Sequence, residues 1–181
     1  PQVELEALQD AGVVFDGQIY RGKGGVAGEF GHMTIGSNAP IACAAGSHNC
    51  WEAFASERAA MSRYRKLIDN QKKDVTFPEF IDRALRGDEK ALSALKETAH
   101  SIGIGISNLI QGLSPEVTIL AGTIVRAWKL IEKEVKSAAA SGICQGYPSV
   151  NIMASTLGPH PTLMGAFSLI LGNKFASVSI S

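Results

Sequence analysis

From Asp88 to Leu113 the apolar residues Leu92, Leu95, Ala99, Ile102, Ile106, Leu109, Ile110 and Leu113 recur every three or four positions. That spacing predicts one long amphipathic helix, N-capped by Asp88, with a single face to bury. Gly103 and Gly105 fall inside it, and each costs about 1 kcal/mol against Ala in a helix interior. Such glycines predict that another backbone comes close at that point. At 181 residues and 45% apolar content, the chain is long enough for one domain with a sizeable core and short for two.

The remaining segments read as strands and shorter helices. Val3-Glu4-Leu5-Glu6 alternates like a half-buried strand. Gly12-Val13-Val14-Phe15, Asp16-Gly17 and Gln18-Ile19-Tyr20 read as a hairpin, because a two-residue turn needs positive φ at both central positions. Gly22, Gly24, Gly25 and Gly28 mark a loop leading into Glu29-Phe30-Gly31-His32, and residues 36–50 form an irregular loop. Helical spacing starts at Trp51 and continues through Phe54, Ala55, Arg58 and Ala59. Thr76 followed by Phe77-Pro78-Glu79 predicts a capped short helix that Gly87 closes. Val117–Ala121 reads as a buried strand feeding a helix over 124–140, and Val150–Ala154 repeats the arrangement. Pro161 then precedes a final helix carrying Leu163, Met164, Phe167, Leu169, Ile170 and Leu171. A strand hairpin followed by helices alternating with short buried strands argues for one α/β domain.

Seventeen basic residues balance seventeen acidic ones, so no basic excess marks this segment as a nucleic-acid binder. No apolar run approaches the ~18–20 residues of a membrane-spanning helix, no signal peptide opens the chain, and no membrane partner is expected. Three cysteines do not make a disulfide scaffold and read as reduced thiols, which implies a cytoplasmic protein. The start at Pro1, without a methionine, suggests a piece of a longer polypeptide.

Two clusters carry chemistry. Glu29 and His32 sit on a glycine-permitted bend with Glu52 downstream, a combination that suits hydrogen bonding to vicinal hydroxyls and equally suits a turn with a satisfied histidine. His32, Cys43, His48 and Cys50 offer the ligand types of a structural zinc site, although no tight C-x-x-C knuckle is present; two free cysteines near a loop are the alternative. Cys144 reads as an ordinary thiol, and Ala121-Gly122-Thr123 as a plain strand-to-helix turn rather than a phosphate contact. No G-x-S-x-G, H-E-x-x-H or Walker A pattern supports hydrolysis or a P-loop.

Taken together, Gly12–Gly22, Gly28-Glu29-Phe30-Gly31-His32-Met33, Cys43, Gly46 and Cys50-Trp51-Glu52-Ala53-Phe54-Ala55-Ser56, with Arg58, resemble the ROK family of sugar kinases and sugar-responsive transcriptional repressors. Leu113–Gly122, Leu157-Gly158 and Leu163–Ala166 agree with the same pattern, so the likeness covers nearly the whole chain. The resemblance implies the larger C-terminal lobe of an actin-like ATPase (ribonuclease H-like) fold, with sugar bound between lobes. It further implies that Glu29, His32 and Glu52 hold sugar hydroxyls. His32 would offer its other ring nitrogen to a zinc shared with Cys43 and Cys50, fixing the tautomer that reads the sugar.

The chain departs from that family pattern twice. The family's zinc loop carries a C-x-C pair, and Ala45 replaces its second cysteine. Three ligands remain where a structural zinc normally takes four, with His48 or water as the fourth; a zinc-bound and a metal-free loop are both compatible with these residues. The family's kinases also carry a G-T-G-x-G phosphate turn, where this chain has Glu6-Ala7-Leu8-Gln9-Asp10. One like-charge pair at ~4 Å costs about 4 kcal/mol at a surface-type dielectric, close to three decades of binding. ATP is therefore not expected as a cofactor.

The family's catalytic Asp belongs to the other lobe, so the chain as it stands is expected to be non-catalytic. The expected function is the effector-sensing lobe of a ROK-type regulator that binds a sugar or sugar phosphate. It would meet DNA only through a separate N-terminal domain, and would act as a homo-oligomer, to which the final helix with Leu163, Phe167 and Ile170 is a candidate contributor. The alternatives are the lobe of an ATP-dependent sugar kinase of hexokinase or glucokinase type, and a degenerate relative serving only as a dimerisation module.

Overall fold

The computed structural model describes residues 2–6, 10–68, 75–144, 146–147 and 151–157. The expected final helix and residues 7–9 of the acidic turn lie outside them. One five-stranded sheet, ordered β3-β2-β1-β4-β5, forms the frame. Strand β1 (Gln2–Glu6) pairs antiparallel with β2 (Asp10–Phe15), which pairs antiparallel with the short β3 (Gln18–Ile19). On its other side β1 runs parallel to β4 (Val117–Ala121), and β4 runs parallel to β5 (Asn151–Ala154). The β2–β3 turn is the expected one, with Asp16 at φ 50° and Gly17 at φ 75°.

Helices fill the connection from β3 to β4. They are α1 (Trp51–Ala55), α2 (Glu57–Leu67), α3 (Phe77–Leu85) and α4 (Glu89–Leu113). Helix α4 is the long amphipathic one, capped by Asp88 through Ala91 N–H at 2.9 Å. Its face, with Leu95, Ile102, Ile106, Leu109 and Ile110, is fully buried. Helix α5 (Trp128–Ser141) packs along it. A Cβ on Gly103 would collide with Ala138 and the Val135 carbonyl of α5, so a second backbone does approach there. At Gly105 the neighbour is a side chain instead, the indole of Trp51, which donates from Nε1 to the Ser101 carbonyl at 2.9 Å.

Two elements differ from expectation. The helix expected to run on from Trp51 breaks at Ser56, whose ψ of 164° is extended. Ser56 caps α2 by accepting from Ala59 N–H at 3.3 Å. Buried Arg63 donates to the Phe54 carbonyl at 2.6 Å, satisfying the end of α1. Likewise, the helix expected over 124–140 opens as a 3-10 turn, Thr123–Ala127, after Gly122 at φ 92°. That tighter turn buries Ile124 and Ala127 before α5 starts at Trp128. Among the described residues no helix is long and apolar enough to cross a membrane.

Candidate functional site

The site is assembled on the edge of the hairpin. Gly28, at φ 108°, lies so close to β2 that a Cβ would overlap the Ala11 carbonyl. Its own carbonyl accepts from Ala11 N–H at 2.9 Å and from Phe30 N–H at 2.6 Å. This docks a 3-10 turn, Phe30–His32, against the sheet. On that turn His32 Nε2 stands 3.9 Å from Glu29 Oε2, and both side chains are about half exposed (44% and 56%).

Beyond the turn the chain is laced to the start of α1. Thr34 forms a bridge with Cys50, Trp51 N–H donates to the Met33 carbonyl at 2.8 Å, and Ile35 N–H donates to Asn49 at 3.1 Å. The intervening loop folds on itself, with Cys43 N–H to the Ser47 carbonyl at 2.8 Å and Gly46 N–H to the Cys43 carbonyl at 2.9 Å. Beneath it Ala39, Cys43, Cys50 and Ala53 form a small satellite core with Ile41 and Phe54.

This lacing brings three of the expected ligands together. Cys43 Sγ lies 3.0 Å from Cys50 Sγ, and a ring nitrogen of His32 joins them within 4.8 Å. The hydrogen bond between the thiols holds Cys43 below the ordinary thiol value and pushes Cys50 above it, with burial adding to the rise at Cys50. The thiolate is the form that binds metal, and the contact with Cys50 shifts Cys43 toward it. His48 is not part of this group; its Nδ1 lies 3.5 Å from the Ala39 carbonyl. Two soft sulfurs and one imidazole make a donor set suited to zinc, with one position short of the usual four.

Glu52, the second residue of α1, is 2% exposed. Its Oε2 accepts from Ala44 N–H of the loop at 3.3 Å, while Oε1 is buried and has no hydrogen-bond partner. The Arg58 guanidinium is near, with Nη1 3.7 Å from that oxygen. Sequence reading missed this Arg58 contact, which depends on how two helix termini meet. Cys144 is exposed and apart from the cluster.

At the carboxyl ends of the parallel strands, β1–β4 register sets Glu6 opposite Ala121, and β1–β2 register sets it opposite Asp10. Glu6, Asp10 and Ala121 thus share one end of the sheet, with Gly122 and Thr123 following directly. The crevice beside Gly122, lined by Ala55, Glu57, Phe77 and Thr123, holds only about 10 Å³. Glu57 is half-buried there, and burial raises its carboxyl above the ordinary range.

A family model described as the ROK family matches residues 10–173. This chain belongs to the ROK family. The xylose repressor of Bacillus spizizenii is 32% identical over 164 residues, covering 88% of this chain and 41% of the repressor. The glucokinase of Streptomyces coelicolor is 27% identical over 175 residues, covering 87% of this chain and 55% of the kinase. The chain therefore spans about half or less of the length of either curated relative. Among solved structures, the ROK glucokinase of Streptomyces griseus with glucose and AMPPNP superimposes with a TM-score of 0.80 at 23% identity, covering 93% of this chain and 59% of that one. The fold is the actin-like ATPase fold of ROK proteins, as the sequence resemblance implied.

Proposed function

We propose that this ROK chain is the sugar-sensing lobe of a transcriptional regulator and is not itself a catalyst. The observation that carries the reading is Glu52 Oε1, a buried acceptor with no hydrogen-bond donor among the described residues and only the Arg58 guanidinium near it, at 3.7 Å. Leaving such an atom unpaired costs about 1–3 kcal/mol, which a donated hydroxyl proton would offset. Glu29 and His32 supply further acceptors and donors on the adjoining turn, and vicinal hydroxyls match that set.

His32, Cys43 and Cys50 would hold a zinc ion. Bound there, it would act structurally, fixing loop 36–50 and the His32 tautomer. The chain's own lacing of Thr34, Cys50 and Trp51 already orients the turn and Glu52 relative to each other.

Two observations favour a sensor over a kinase. The sequence Glu6-Ala7-Leu8-Gln9-Asp10 has no glycine and two carboxylates, a composition that does not suit an amide cradle for phosphates. The crevice at Gly122 has room for about one water and is bordered by the Glu57 carboxyl. Sugar would act by favouring one arrangement of this lobe relative to the rest of the protein, in proportion to its differential affinity for the two. A homo-oligomer would carry that change to a separate DNA-binding domain.

The test is thermal denaturation of the full-length protein against a panel of aldoses and MgATP. A shift with one sugar and none with millimolar MgATP is expected. The similarity to a glucokinase along 87% of the chain supports a second reading, an ATP-dependent sugar kinase lobe. MgATP-dependent phosphorylation of a sugar by the full-length protein would establish that reading and end the first.

A further inference from the structure

A groove of about 680 Å³ along α2 lies outside the cluster just described, within the size range of small-molecule sites. Pro40-Ile41 of the loop stand on one side, tied by Ser62 Oγ donating to the Pro40 carbonyl at 3.3 Å, and Phe77 of α3 stands on the other. Its floor carries Arg58, Ser62, Arg65 and Lys66, which helical spacing sets on one face of α2.

The charge of this groove is unbalanced. Among the described residues no carboxylate pairs with Arg65 or Lys66, and Arg58 is shared with Glu52 at 3.7 Å. Glu57 is the one acid among the described lining residues, and its carboxyl is half-buried. Three cations against one acid in a concave site favour an anion that can accept several hydrogen bonds, which is the chemistry of a phosphate monoester. Arg58 fixes where that anion belongs. It lines the groove and also stands 3.7 Å from Glu52 Oε1, which has no hydrogen-bond donor among the described residues, so the groove borders the proposed sugar site through Arg58. A rise of 1.5 Å per residue separates Arg58 from Arg65 by about 10 Å along the helix, a span that one phosphorylated sugar can bridge.

We infer that the α2 groove is a phosphate subsite and that the effector is a sugar monophosphate, its hydroxyls on Glu52 and its phosphate among Arg58, Ser62, Arg65 and Lys66. This rests on the sugar-sensing reading for the position of the ring, whereas the phosphate subsite stands on the groove alone.

The experiment is calorimetric titration of the full-length protein with pentoses, hexoses, their monophosphates, inorganic phosphate and MgATP. It is repeated on the Arg65→Ala/Lys66→Ala double variant and on Glu52→Gln. At least one monophosphate should bind tenfold or more tightly than its parent sugar, and the double variant should erase that advantage while leaving the parent sugar's affinity unchanged. Inorganic phosphate should bind the wild type and Glu52→Gln alike, and the double variant at least tenfold more weakly. Monophosphates no tighter than their parent sugars, or an advantage that survives in the double variant, would overturn the inference. So would a groove that takes MgATP in preference to every sugar phosphate. Loss of all sugar binding with retained, Arg65-dependent phosphate binding would sink the sugar-sensing reading and keep the anion subsite.

Discussion

The Trp51 indole occupies the volume in which any side chain at Gly105 would stand, and its Nε1–H is tied to the Ser101 carbonyl at 2.9 Å. Gly105→Ala must therefore displace a fully buried ring. Overpacking of this kind costs about 1–3 kcal/mol, against about 1 kcal/mol gained in helix propensity. The variant is expected to melt at lower temperature. Because Trp51 lies between Cys50 and Glu52, it is also expected to weaken sugar binding, measurable by calorimetry on the folded variant.

Glu52→Gln keeps an oxygen for Ala44 N–H and removes a buried carboxylate charge. Its unliganded melting temperature should hold or rise, because desolvating a charge opposes folding. The sugar-induced thermal shift should disappear. A variant that melts normally and still responds fully to sugar would remove Glu52 from the site.

Ala45 sits two residues after Cys43, where the family's zinc loop has its second cysteine. Ala45→Cys is expected to raise zinc affinity by more than about tenfold, since even an outer-shell partner is worth ~10–100-fold. Cys43→Ser should abolish it. Competition against a chromophoric zinc chelator reads both, and chelation of the wild-type protein should lower its melting temperature.

The capping box of α3 gives stability a defined pH dependence. Thr76 N–H donates to Glu79 Oε2 at 2.8 Å and the Thr76 hydroxyl donates at 3.0 Å, holding the carboxyl below its ordinary value of 4.5. A carboxyl depressed in the folded state contributes fully above the unfolded value and loses its contribution as pH falls through the folded one. Wild type should therefore lose stability more steeply than Glu79→Gln below about pH 4.5, with the curves running parallel above it, in urea melts across pH.

Legibility in the sequence tracked the range of the interaction. The Asp16-Gly17 hairpin, the Thr76 box and the Asp88-capped helix were readable because each signal is completed within a few residues. The Ser56 break was not, because the group that satisfies the end of α1 is Arg63, reaching back from the next helix. Gly103 announced a close approach and met one, while the occupant at Gly105 turned out to be a ring from α1. Ligand types at His32, Cys43 and Cys50 were visible as residue chemistry, yet their convergence required the Thr34–Cys50 bridge. The Glu52–Arg58 contact and the groove beyond it had no sequence signal, since they arise where the loop crosses α2.

The absent side chain at Gly28 has a mechanical consequence. With Ala11 and Phe30 both bonded to one carbonyl, the turn holding Glu29 and His32 has no slack against the outer strands. Any side chain at position 28 would overlap the Ala11 carbonyl and prise the turn from β2, so the distance from Glu29 and His32 to the sheet depends on one missing methyl group.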